Sequence, residues 1–159
     1  MSPASLWQNA LIRVTRHTHK PILALPLLVL LSACSGTAPD NLGIHDGQLR
    51  ACPDSPNCVN SQASDARHAV KPLPLKGSTE ETQALLKALL SEESRVSLVD
   101  EAPGYLRAEY SSKLMRFVDD VEFMIGASAV DVRSASRLGY ADFEVNRERI
   151  ERLRQRLGE

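Results

Sequence analysis

The chain has 159 residues, 43% hydrophobic and 25% charged, a profile that fits one folded domain and excludes a disordered or collagen-like chain. Its formal net charge is −1 and its aromatic content 4%. No basic field is available for a phosphate backbone and few rings for stacking on bases, so no nucleic acid is expected as a partner.

Residues 1–33 read as a separate object. They carry Arg13, Arg16 and Lys20 and no acidic residue, and then an uncharged apolar run over 21–33. A bilayer span needs roughly 20 residues, so this run is short for one and fits a secretory signal. Leu31-Ser32-Ala33-Cys34 resembles the lipobox of bacterial lipoproteins. That resemblance implies diacylglycerol on the Cys34 sulfur (palmitate among its chains), cleavage before Cys34, and a membrane partner through the lipid. An uncleaved signal anchor with a chance cysteine is the competing reading. Ser35 stands where an Asp tends to hold such proteins at the inner membrane, which implies the outer membrane, facing the periplasm. Without residues 1–33 the chain keeps 16 basic residues against 20 acidic ones, a net charge of −4.

Residues 34–50 contain Gly36, Pro39, Gly43 and Gly47 and read as a flexible, lipid-anchored tether. The domain proper is expected over 51–158. Cys52 and Cys58 flank a loop with two prolines, and in an oxidising compartment they are candidates for a disulfide. Free thiols, a redox role or a loop that positions a site are the other readings. The spacing is not that of a thioredoxin-type pair. Only His45 and His68 remain beyond the leader, in different contexts, so no metal is expected, and no cofactor motif is present.

Pro72, Pro74 and Gly77 mark an extended connector. Ser78 and Glu81 form a capping-box pattern, and leucines at 85, 86, 89 and 90 recur at helical spacing. A helix is expected over 79–92, with all four leucines on the core. The period then changes to two. Val96 and Leu98, then Leu106, Ala108 and Tyr110, then Phe117, Val121, Phe123 and Ile125, then Val130 and Val132 predict four strands. Pro103-Gly104 and Gly126-Ala127-Ser128 provide turns. One face should meet the core and the other be wetter. A second helix is expected over 142–157, with Asp142 as N-cap and Phe143, Asn146, Ile150, Leu153 and Leu157 on one seam. The charges between them read as a solvated face. The fold class is α+β: a single small domain, with an antiparallel four-stranded meander flanked by two helices.

Three blocks carry a likeness: Cys52-Pro53-Asp54-Ser55-Pro56-Asn57-Cys58-Val59-Asn60-Ser61, Arg116 to Phe123, and Val132 to Tyr140 continuing through Asn146 to Ile150. In this order they resemble a family of unknown function, DUF1499, over about residues 50–157. The likeness implies a bacterial envelope or chloroplast protein and no particular chemistry.

Some polar residues break the apolar pattern. Asp119 is expected on a strand face with Phe117, Val121 and Phe123, and Asn146 interrupts the last helix's seam. Arg133, Ser134, Ser136 and Arg137 precede that helix, where backbone N–H groups could help hold an anion. Asp119, Arg133, Ser136, Arg137 and Asn146 are the candidate ligand-binding residues, with an arginine holding a carboxylate or phosphate and Ser136 and Asn146 orienting it. A buried polar network is the plainer reading. No catalytic residue can be assigned. The leading expectation is a binding or assembly module that recognises an envelope protein or a small anionic ligand. A hydrolase or transferase using Asp119, Asp120, Arg133 and Arg137, or a purely structural lipoprotein, stands behind it.

Overall fold

The computed structural model describes residues 36–158. The leader and Cys34 lie outside them. A short hairpin comes first, β1 (Ile44–His45) and β2 (Gln48–Leu49), within the stretch expected as a tether. The domain continues through β3 (Cys58–Asn60), β4 (Leu73–Pro74), helix α1 (Thr79–Glu92), β5 (Val96–Ala102), β6 (Tyr105–Ser111), β7 (Val118–Ile125), β8 (Ala129–Ser136) and helix α2 (Val145–Gly158).

The expected meander is present as β5–β8, each strand antiparallel to the next. The sheet nevertheless has six strands, in the order β3-β8-β7-β6-β5, with β4 also on β8. Pro74 explains why β4 was not legible: proline cannot donate to a ladder and sits only at an edge. The strand covers two residues, Leu73 against Val130 and Pro74 against Ala129.

Both helices pack on the same face of the sheet. Leu86, Leu90, Ile150, Leu153 and Leu157 meet Leu106, Val121, Phe123, Val130 and Val132 in one core. α1 begins where the capping box sets it: Ser78 Oγ accepts from Glu81 N and Glu81 accepts from Ser78 N. Of its four leucines only Leu86 and Leu90 are buried, while Leu89 is partly covered and Leu85 faces out. A helix on a flat sheet buries one stripe, and 85 and 89 lie to the side of it.

α2 starts three residues later than its sequence suggests. Phe143 and Glu144 have φ of 55° and 66°, outside the helical region, and Phe143 is exposed rather than on the seam. Asp142 still caps: its Oδ2 accepts from Asn146 N at 2.9 Å.

The second face of the sheet is not the wet face expected from alternation. Asp120, Glu122 and Arg133 lie on it and are buried. The N-terminal stretch lies over part of it, with Gly43 N donating to Glu122 Oε1 at 2.7 Å, and Leu49 is buried. No described helix is long and apolar enough to cross a membrane.

Candidate functional site

Strand parity sorts the five candidate residues. Asp119, Ser136 and Asn146 come together on the helix side of the sheet, whereas Arg133 and Arg137 point from the opposite side. A single pocket joining either arginine to Ser136 and Asn146 is therefore not formed.

On the helix side, the partner of Asp119 is Arg149, with Nη2 2.6 Å from Oδ2. Arg149 Nη1 donates to Ser134 Oγ at 2.8 Å and Asn146 Oδ1 at 2.5 Å, and its guanidinium lies 4.4 Å from the centre of the Tyr110 ring. Asn146 Nδ2 reaches Asp142 Oδ2 at 2.7 Å, Asn57 O at 3.1 Å and Ser136 Oγ at 3.2 Å. Asn57, from the cysteine loop, also donates to Gly139 O at 2.7 Å. Cys52 and Cys58 are bonded as a disulfide, so this loop is closed where Asn57 ties β8 to α2.

On the opposite side Arg137 Nε meets Asp120 Oδ2 at 2.7 Å, and its Nη2 meets Glu109. Arg107 also reaches Asp120, at 3.2 Å. The hydrogen bonds from Asp120, then those from Glu109, hold the Arg137 pKa above the ordinary arginine value. Glu122 accepts from Tyr105 Oη at 3.0 Å and pairs with Arg133 at 3.4 Å. Burial pushes the Arg133 pKa down, and Glu122 opposes the shift.

Residues that sequence reasoning missed complete the picture. Arg149 was read as part of a solvated face, yet it follows Asn146 by three and so shares its stripe. That spacing was the available signal. Tyr110 was placed in the apolar pattern without regard to its hydroxyl. These two line a cleft of about 400 Å³ with Glu93, Arg95, Asp119 and Arg152. Among the described residues, Tyr110 Oη and Arg149 Nε are buried and have no hydrogen-bond partner. Burial, then the Glu93 carboxylate beside it, pushes the Tyr110 hydroxyl pKa up. The cleft thus sets these donors beside two carboxylates, Glu93 and Asp119, the latter paired with Arg149, and its other two arginines, Arg95 and Arg152, are exposed. Among the described residues no cluster of three or more His, Cys, Asp or Glu side chains could hold a metal.

A family model described as a protein of unknown function, DUF1499, matches residues 48–157. The chain belongs to this family. The DUF1499 match takes in every strand from β2 onward, α1 and all but the last residue of α2, so the side chains of the polar clusters on both faces and the cleft fall within it. No curated protein and no solved structure matches the chain.

Proposed function

We propose that this DUF1499 protein is a lipid-anchored envelope domain facing the periplasm, which binds the anionic group of a small ligand or partner in the cleft at Tyr110 and Arg149. One observation carries the binding reading: two buried donors, Arg149 Nε and Tyr110 Oη, make no hydrogen bond among the described residues, with only the Glu93 carboxylate facing the hydroxyl, and they border a cleft that Arg95 and Arg152 also line. Buried donors are normally satisfied, and an acceptor from outside would satisfy these. The anchor rests on the Cys34 lipobox pattern, which lies outside the described residues. Asp119, Asp120, Arg133 and Arg137 are all engaged in ion pairs within the fold, which favours binding over a hydrolase or transferase built on them.

Calorimetric titration of the full chain with glycerol 3-phosphate and with succinate tests the cleft. Binding of at least one probe is expected. It should weaken at least several-fold in Arg95→Gln and Arg152→Gln with the melting temperature unchanged, since both side chains are exposed. Absence of binding by both probes, or binding indifferent to both substitutions, overturns the reading.

A further inference from the structure

The topology gathers two loops at one end of the sheet. Asp119 pairs with Ser136 and Ser111 with Val118, so the β6–β7 loop and the β8–α2 loop are neighbours. Arg137 N donates to Val118 O at 3.0 Å and locks them together. The β5–β6 and β7–β8 turns lie at the other end.

The two neighbouring loops carry apolar side chains that the described chain leaves wholly or partly exposed. Leu114 is 87% exposed, Tyr140 73% and Phe143 91%, and Met115, Phe117 and Leu138 are exposed beside them. Scattered surface leucines are ordinary, but large apolar side chains grouped at loop tips mark an interaction site. Phe143 and Glu144 both adopt positive φ, a region that L-residues enter at a cost.

Basic residues border these tips. Lys113, Arg116, Arg95 and Ser112 line a second cleft on the same end. No salt bridge engages Lys113, Arg116 or Arg95 among the described residues. Of the acidic neighbours, Glu144 is paired with Arg147, whereas Asp142 keeps its charge and accepts from Asn146. Apolar tips edged by unpaired cations match a bilayer interface, where rings and alkyl chains enter below the headgroups and cations meet lipid phosphates.

The course of the chain selects the bilayer over a protein partner. Gly36 packs at this same end: a Cβ there would lie 3.0 Å from Arg137 Cβ and 3.1 Å from Leu138 Cγ. Cys34 is two residues away, and two residues reach at most about 7 Å. The described chain therefore begins at this end of the sheet, two residues after the position that the anchor reading assigns to the lipid.

We propose that the β6–β7 and β8–α2 loops dock on an anionic lipid bilayer, with Phe143, Tyr140 and Leu114 entering it and Lys113 and Arg116 at the headgroups. The proposal deepens the envelope reading above and rests on its anchor at Cys34 for the choice of occupant. The docked end also carries the Tyr110–Arg149 cleft, which would open toward the headgroup layer.

Tryptophan reporters test this in the full chain, produced in a bacterium that processes lipoproteins. Phe143→Trp, made with Trp7→Phe, is reconstituted with vesicles of phosphatidylethanolamine and phosphatidylglycerol containing brominated acyl chains. Ala127→Trp, in the exposed β7–β8 turn at the far end, is the control. The emission at position 143 should be quenched several-fold more than at 127. Lys113→Glu combined with Arg116→Glu should reduce it. Tyr140→Trp serves as reporter if Phe143→Trp does not fold. Equal quenching at both ends, or none at 143, overturns the docking surface. Intact mass separates this from the anchor. A diacylglyceryl mass on Cys34 without quenching at 143 keeps the anchor and sinks the surface. Quenching at 143 without that mass keeps the surface and sinks the anchor.

Discussion

Asp119 and Arg149 show how one residue pair can be both structural support and site wall. Their side chains are mostly buried, and removing one charge leaves the other uncompensated. Asp119→Asn should therefore cost about 3 kcal/mol of stability, measured by urea unfolding, because Arg149 stays charged with only neutral partners. Tyr110→Phe should behave differently. Its hydroxyl makes no hydrogen bond among the described residues, so stability should change by less than about 1 kcal/mol, while affinity for the anionic probe falls. A large loss of stability on Tyr110→Phe would mean that the hydroxyl is satisfied within the fold. Asp119 and Asn146 were legible because each interrupts an apolar run. Arg149 was hidden among the neighbouring charges of α2, although its spacing from Asn146 marks the same face.

At the scale of elements, the local signals and the observed boundaries agree where the cause is local. Ser78, Glu81 and the leucine spacing fix α1, and Ser78→Ala should lower stability by about 1 kcal/mol through the lost cap. Gly77 precedes it at φ +77°, and a Cβ there would fall 2.2 Å from Glu81 Oε2. Gly77→Ala should therefore disturb the same capping box, with thermal melting as the readout. The disulfide acts between elements. Cys52 and Cys58 are six residues apart, and reducing the bond should cost about 2 kcal/mol by freeing the unfolded chain. The reduced protein should also loosen hydrogen exchange around Gly139, since Asn57 in that loop holds its carbonyl. The late start of α2 was not legible. Asp142 satisfies the helix end from four residues before Asn146, while two residues at positive φ intervene.

At the scale of the molecule, the sheet divides two polar systems that sequence alone had merged. Burial, followed by Glu122 for one and Glu93 for the other, raises the pKa of Tyr105 and Tyr110 above their ordinary value of 10.0. The unfolded chain would release these protons near pH 10 while the folded chain keeps them. Stability should then fall as pH rises above about 10, by up to about 1.4 kcal/mol per pH unit for each tyrosine. Unfolding free energies at pH 9 and pH 11 check this, and the Tyr105→Phe, Tyr110→Phe double variant should remove most of the slope. Coverage of the second face is equally a property of the whole. Gly43 donates to Glu122 from 79 residues away, so deleting residues 36–47 should destabilise the domain by uncovering a buried ionic layer. A melting temperature unchanged by that deletion would show that the layer tolerates water.

The sequence by itself determined what depends on near neighbours: the α+β class, the four meander strands, the capped start of α1, the availability of Cys52 and Cys58, and the polar intruders at 119 and 146. Period and capping act over a few residues, so one-dimensional order contains them. Only the tertiary structure decided which charges meet. Arg133 and Arg137 were separated from Ser136 and Asn146 by strand parity, Glu122 was buried by chain from the other end of the sequence, and Arg149 was brought to Asp119 and Tyr110 by the packing of α2. Electrostatic partnership falls off with distance in space, and sequence order does not contain that distance.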